Sequence, residues 1–381
     1  MNWKKIKKYV IKNKSQSHLC ICDTDLFEST IVNGIYGFPH SGTTRQKSFW
    51  RSIASMYNIG KNDLIFLYRR NGNDNGCREI NGPFKIFEID NHPATFYDLN
   101  STDFPMVIKG EKDCKVRFLF AKFEDEVYSI ANNYELIKRY EFREIWGYRH
   151  PAVMNIGAAR KKSVAAFSNK QTLIFLDLME EYGVLRHELE ENVPSEERIE
   201  QYINMEQEQY QFKINGDFLA ENYADDEAYL YSYFISALKN HHNYHSSLLR
   251  EDFSSINDEM LRQYDTSFGK LESNILMEVI ITTHLQDELD IVLTDIEDKN
   301  ILLFEFKTGT LCQKDVDQME RYLDLLKAIS PEKNIFANLV GYELEDNLIH
   351  NPRFANLIKL VTYDVSEDEP TVIRFNDVTI V

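Results

Sequence analysis

The sequence predicts a mixed α/β (α+β) protein of two domains joined by a helical connector, on three observations. At 381 residues the chain is long enough for two hydrophobic cores, at about 150 residues per domain. Short β-type runs fill residues 19–166, whereas helices and strands alternate from residue 225 onward, the pattern of an α/β core. Between them lies an acidic, Gln-rich stretch that favours helix. Boundaries therefore fall at residues 1–168, 169–222 and 223–381.

The amino terminus, MNWKKIKKYVIKNKSQ, is basic, but its apolar run is far shorter than that of a secretory signal. No stretch approaches the ~18 uninterrupted apolar residues of a membrane span. Five cysteines, an odd count, fit a reducing compartment rather than a disulfide scaffold. A soluble, cytoplasmic chain with no membrane partner is expected. A helix is expected over SFWRSIASMY (48–57). The strand LIFLYRR (64–70) is closed by the loop signal from Asn71 to Gly76. INGPFKIFEI (80–89), MVIKG (106–110) and CKVRFLFAKF (114–123) are rich in β-branched and aromatic residues and read as strands of a small mixed barrel or sheet. Residues 173–211 read as a helical connector, interrupted at Pro194-Ser195. In the last part, EAYLYSYFISALKNH (227–241) has helical spacing. Strands follow over ILMEVIITT (275–283), ELDIVLTDI (288–296) and NILLFEFKTG (300–309). An amphipathic helix over 314–329 leads to a buried strand, NIFANLVGYEL (334–344).

A net charge of −18 argues at first against a nucleic-acid partner. Residues 1–170, however, carry 27 Lys+Arg and 18 Asp+Glu, a net of +9, which leaves −27 for the remainder. Such asymmetry points to two parts with different partners, the basic one suited to phosphates.

Chemistry concentrates in the last part. Asp290 sits in the apolar setting LDIVL, and Glu305-Phe306-Lys307 lies inside the next strand. A period of two puts Glu305 and Lys307 on one face and Phe306 on the other. A hairpin-like return would bring Asp290 beside Glu305, and paired carboxylates at the mouth of a sheet suit Mg²⁺ or Mn²⁺. Lys307 could orient an attacking water or stabilise charge on a phosphate. The bland alternative is a strand edge with a surface Glu–Lys pair. Gln318 and Tyr322, four apart, share one face of the following helix.

Asp290, Glu305-x-Lys307 and Gln318-x-x-x-Tyr322, in that order, resemble the PD-(D/E)xK nuclease superfamily, within it the RecB-like branch and the mismatch-specific endonucleases. The resemblance spans residues 225–350. It implies a restriction-endonuclease-like core in which Asp290 and Glu305 bind metal, Lys307 assists the water, and Gln318 and Tyr322 support the site or contact DNA. An acidic residue on the preceding helix joins the metal ligands in such enzymes. Glu227 is the best-placed candidate, with Glu221, Asp225, Asp226 and Glu278 competing. The Pro of the superfamily's name is replaced by Leu289.

The segment 49–86 resembles the EVE, YTH and PUA-like base-recognition domains through Trp50, the Asp63–Tyr68 stretch and Gly82-x-Phe84, with Asn62 where a Gly is usual. This implies a PUA-like mixed β-barrel that stacks a flipped base between aromatics. Candidates are Trp50, Trp146, Phe49, Tyr36 and Phe38. Arg45, Lys47, Arg51, Arg69, Arg70, Arg160, Lys161 and Lys162 are candidates for phosphate contacts. The bland readings are core packing and a solvated basic face. His241, His242 and His245 lack zinc-type partners, and Cys20-x-Cys22 reads as part of a strand.

The combined expectation is a Mg²⁺- or Mn²⁺-dependent DNA endonuclease of modification-dependent restriction, able to act as a homodimer because a double-strand cut needs two sites. The alternatives are a mismatch or repair endonuclease, an inactive binding protein, and an RNA-directed enzyme.

Overall fold

The computed structural model of the chain describes residues 1–22, 24–38, 51, 54–55, 58–60, 62–69, 79–87, 116–131, 164–203, 227–228, 230, 234–235, 274–280, 288–346, 348–349, 353–354, 356–365 and 373–378. The chain divides into two compact units, Met1–Phe212 and Lys213–Val381, both mixing strands and helices. Among the described residues no helix is long and apolar enough to cross a membrane.

Unit 1 opens with α1 (Trp3–Asn13), β1 (Ser17–Cys22), α2 (Thr24–Asn33) and β2 (Ile35–Phe38). It continues through β3 (Leu64–Arg69), β4 (Glu79–Ile86), β5 (Val116–Lys122), β6 (Tyr128–Ala131) and β7 (Val164–Phe167). It ends in α3 (Asn169–Tyr182), β8 (Val184–Leu185), α4 (His187–Glu190) and α5 (Glu196–Ile203). The strands form one mixed sheet in the order β2-β5-β4-β3-β1-β7, with β6 pairing both β4 and β8. Only β1 and β3 run parallel among these pairs. β4 changes partner along its length, pairing β6 through residues 79–82 and β5 through 84–86. The change falls at Gly82, whose φ of +146° is open to glycine but not to a side chain, since a Cβ there would lie 2.9 Å from Phe66 Cδ1.

One face of this sheet is covered by α1 and α3. Trp3, Ile6 and Val10 of α1 meet Phe175, Leu176 and Met179 of α3 over Leu19, Phe66, Tyr68, Ile80 and Phe167. Phe175 stands edge-on to Phe66 at 4.7 Å and stacks on Phe167 at 5.7 Å. A capping box starts α3: Ser168 Oγ accepts from the Gln171 N–H, and Gln171 Oε1 accepts from the Ser168 N–H. The Asn169 amide then donates to the carbonyls of Val10 and Ser15, at 3.1 and 3.0 Å.

The stretch expected to be a separate connector is therefore, over residues 169–203, part of unit 1. Its acidic residues pair with the basic segment, Lys7 with Asp177 and Glu180 and Lys85 with Glu196, while its own Arg186 pairs with Glu79. Its apolar stripe closes the core. Residues 1–212 hold 29 Lys+Arg and 29 Asp+Glu, so the basic half becomes a neutral unit, and 213–381 carry the whole −18.

Unit 2 is built on a six-stranded sheet of β9 (Asn274–Ile280), β10 (Glu288–Thr294), β11 (Asn300–Phe306), β13 (Asn334–Gly341), β15 (Ile358–Val365) and β16 (Ile373–Val378). Their order is β16-β15-β13-β11-β10-β9. A short pair, β12 (Thr310–Leu311) and β14 (Glu343–Leu344), lies beside it, and α6 (Gln313–Ile329) links β12 to β13. β9, β10 and β11 form an antiparallel meander; β11, β13 and β15 run parallel; β16 returns antiparallel. From Ile301 to Phe306 every residue of β11 is buried, as expected of a central strand covered on both faces. The crossover helix α6 buries Val316, Met319, Tyr322, Leu323 and Leu326, spaced along one helical face.

Candidate active site

Alternation along β11 sorts its side chains to two faces. Phe304 and Phe306 pack against Phe234, at ring separations of 4.7 and 5.5 Å, beside the helical residues 227–228, 230 and 234–235. Glu305 points the other way, toward Gln318 of α6. β10 and β11 pair with Ile291 opposite Phe304, and one further step of that register sets Asp290 against Glu305.

Asp290 is held by the backbone of the strand it faces: the Phe306 N–H donates to its Oδ2 at 2.7 Å. Glu305 is 4% exposed. Its Oε1 accepts from Lys307 Nζ at 2.7 Å and from Gln318 Nε2 at 3.2 Å. Its Oε2 is buried and has no hydrogen-bond partner. Gln318 Nε2 also donates to the hydroxyl of Tyr322, one helical turn on, which is 1% exposed. Lys307 Nζ lies 3.9 Å from Glu227 Oε1, so Glu227 enters the same charge cluster. The five residues that the sequence set in order, and the sixth it chose among competitors, thus come together. Glu221, Asp225 and Asp226 lie outside the described residues, as does the side chain of Glu278, whose backbone lies in β9.

The segment after Glu305 is fixed by its surroundings. The Lys307 N–H donates to the Val340 carbonyl at 2.7 Å, the Tyr363 hydroxyl to Thr308 O at 3.2 Å, and the Tyr342 N–H to Gly309 O at 2.9 Å. Gly341 allows that closeness, since a Cβ there would come within 2.4 Å of Leu311 Cγ. Asp315 at the start of α6 accepts from the Cys312 N–H at 3.0 Å, anchoring the helix that delivers Gln318 and Tyr322.

Burial pushes the Asp290 carboxyl well above its ordinary range, the charge of Glu305 adds to the rise, and the Phe306 N–H opposes it. Burial also raises Glu305, against the pull of the Lys307 ammonium. Burial would lower Lys307, but Glu305 and Glu227 together outweigh it and hold the ammonium charged.

Among the described residues no three His, Cys, Asp or Glu side chains converge closely enough to cage an ion. The fit of a divalent cation rests on the donor set. Two hard carboxylates oppose each other, one oxygen of Glu305 is buried without a partner, and a third carboxylate stands across Lys307.

In unit 1, Tyr36 is 5% exposed, its hydroxyl donates to Ile21 O at 3.1 Å, and its ring lies 5.4 Å from Phe118. It is packed inside the unit rather than presented at its surface. Arg51 is half-buried in a helical position. Arg69 lies 3.7 Å from Glu79 and over the Phe27 ring at 5.3 Å, an internal pairing. Phe49, Trp50, Trp146, Arg45, Lys47, Arg70, Arg160, Lys161 and Lys162, the side chain of Phe38, and the three histidines at 241–245 lie outside the described residues. Cys20 and Cys22 are buried and part of β1, as their sequence setting implied. Nothing in the sequence marks the Phe306 N–H as the group that fixes Asp290, because every residue other than proline carries the same donor. No family model matches the chain, and no curated protein matches it either.

Proposed function

We propose that the chain is a metal-dependent DNA endonuclease of the PD-(D/E)xK kind, whose N-terminal unit is a PUA-like reader of a modified base, in the service of modification-dependent restriction. The observation that carries the nuclease reading is Glu305. It is a carboxylate buried opposite a second carboxylate, with one oxygen unpartnered and the other shared by Lys307 and Gln318. An uncompensated arrangement of this kind costs several kcal/mol unless a cation completes it. The reader half rests on the resemblance of residues 49–86 and on the mixed sheet of unit 1.

Asp290 and Glu305 would hold Mg²⁺ or Mn²⁺, with Glu227 as the third carboxylate across Lys307, and the ion would supply a Lewis acid for phosphodiester hydrolysis. The chain's own residues do the rest. Lys307, kept charged by its carboxylate neighbours, places a cation where charge develops on the phosphate. Gln318 ties Glu305 to the Tyr322 hydroxyl and so sets the angle of the carboxylate. The Phe306 N–H does the same for Asp290.

The test is incubation of the full chain with Mg²⁺ or Mn²⁺ and five substrates: methylated, hydroxymethylated, mismatched and plain duplexes, and RNA. Cleavage of one modified duplex above the plain one, lost with chelator and in Asp290→Asn, is expected. Preference for the mismatch would reassign the enzyme to repair. Equal cutting of plain duplex would remove the base-reading role, and no cutting of any substrate would remove the nuclease.

A further inference from the structure

We propose that the outer face of α1 is a docking surface for the phosphate backbone of nucleic acid. The inference rests on the reading that unit 1 engages nucleic acid, and it names a surface outside the aromatic and arginine candidates.

At 100° per residue, burial of Trp3, Ile6 and Val10 against the sheet turns Lys4, Lys8 and Lys12 to the opposite side, where all three are exposed. The helical rise spaces consecutive lysines of this ridge by about 6 Å. The flanking lysines are spent within the unit. Lys5 donates to Glu124 at 2.7 Å, and Lys7 pairs with Asp177 at 2.5 Å and also with Glu180. Among the described residues none of Lys4, Lys8 and Lys12 has a carboxylate within ion-pair distance, and residues 1–22 contain no Asp or Glu. Unit 1 balances 29 cations with 29 anions, so this is a local excess of positive charge and not a sample of an overall basic surface.

The occupant follows from what the helix has left to offer. A membrane-surface helix must sink its apolar face into the lipid, but the apolar face of α1 is already buried under the unit. Of its large apolar side chains only Ile11, 60% exposed, stands beside the ridge. Three flexible ammonium groups in a row suit a repeating polyanion and carry no sequence information. The ridge therefore contributes affinity and orientation, and leaves discrimination to the interior of the unit.

The test uses the full chain with Lys4, Lys8 and Lys12 all changed to Ala. The positions are exposed and helical and Ala is the strongest helix former, so an unchanged melting temperature is expected. Binding to a fluorescent duplex is measured in chelator across a salt series. Each lost phosphate contact flattens the slope of log K against log[salt] by about 0.9. The triple variant should therefore show a slope shallower by about 2.7, with the preference for the modified base unchanged. A wild-type chain that binds duplex with the same slope as the variant would overturn the ridge and leave the nuclease reading standing. No duplex binding by the wild type at any salt would fail that reading, and the ridge with it. Binding to phosphatidylserine vesicles that the variant loses while its duplex slope stays unchanged would also overturn the proposal.

Discussion

Two of the buried carboxylate settings among the described residues are treated in opposite ways. In unit 1, Asp63 is 5% exposed and saturated: Oδ1 accepts from the Gln16 N–H at 3.0 Å, and Oδ2 from the Gly60 N–H at 2.7 Å, with His18 Nε2 at 2.8 Å. It ties the residue before β1 to the loop before β3, just where Ser17 and Leu64 begin their parallel pairing. In unit 2, Asp290 and Glu305 face each other, burial raises the proton affinity of both, the charge of Glu305 adds to the rise at Asp290, and Glu305 Oε2 is left unpaired. On the proposed function, saturation with donors separates Asp63, which fastens the fold, from Glu305, which is held for chemistry. Being unpaired is not sufficient by itself. The amides of Asn81 and Asn338 are also buried without hydrogen bonds, but they are neutral.

The largest expected difference lies in activity. Asp290→Asn and Glu305→Gln remove charge from the pair and should lower metal-dependent cleavage by about a thousandfold or more, given the several kcal/mol that a bound metal supplies. Single-turnover cleavage of a labelled duplex measures this. Neither change should destabilise the metal-free chain. Residual cleavage at near wild-type rate would break the contrast with Asp63.

Asp63→Ala should do the reverse. It strands the N–H groups of Gln16 and Gly60 and the His18 imidazole, at a combined cost of about 3–5 kcal/mol. Denaturant unfolding would register the loss in unit 1. Asp63→Asn keeps one acceptor and should cost less. An Asp63→Ala chain as stable as wild type would mean that saturation by donors is no measure of structural role.

The sequence could not have drawn this contrast, because Asp63 and Asp290 both sit beside apolar β-type runs, in KNDLIF and ELDIVL. What it did display were the strongly periodic elements. β10, β11 and α6 lie within a few residues of their expected spans. The single strand expected over 334–344 breaks at Tyr342, whose N–H turns to Gly309 O, a tertiary contact that no local pattern encodes. α3 was legible as a helix but not as part of a core. Its acidic side dominated the composition, while Phe175, Leu176 and Met179 formed the buried stripe. In α1 the i, i+3, i+7 spacing of Trp3, Ile6 and Val10 is present, but the lysines between them mask the apolar stripe in the composition. For Glu227, already the best-placed candidate in the sequence, three-dimensional placement adds a position 3.9 Å from Lys307.

A smaller effect sharpens the contrast within the site itself. Gln318→Ala removes a side chain that joins Glu305 to Tyr322. Groups that orient a ligand in this way are worth about 10–100-fold in metal affinity. Calorimetric titration with Mn²⁺ should show that loss. Tyr322→Phe, which keeps the ring packed, should show a smaller one. Unchanged affinity in Gln318→Ala would mean that Glu305 is positioned by its strand alone.

The smallest effect is one of stability and pH, and its sign is fixed by linkage. Asp290 and Glu305 hold protons in the folded chain at pH values where the unfolded chain releases them. Between the ordinary and the raised values the native state binds more protons, so this contribution to stability falls as pH rises. Lys307 shifts upward too, and its contribution is complete throughout the acidic and neutral range. Replacing Asp290 by Asn removes the titration at that position, and Asn Oδ1 can still accept from the Phe306 N–H. The metal-free Asp290→Asn chain should therefore melt above wild type at alkaline pH, by about 2–4 °C for each kcal/mol of relieved repulsion. The gap should close as pH falls toward 4, where a protonated Asp290 resembles the amide. Excess Mg²⁺ should reverse the order, since only the wild type gains binding free energy, about 2.7 kcal/mol at a hundred times the dissociation constant. A gap that is constant with pH, or absent throughout, would mean that the Asp290–Glu305 pair is no more strained than Asp63.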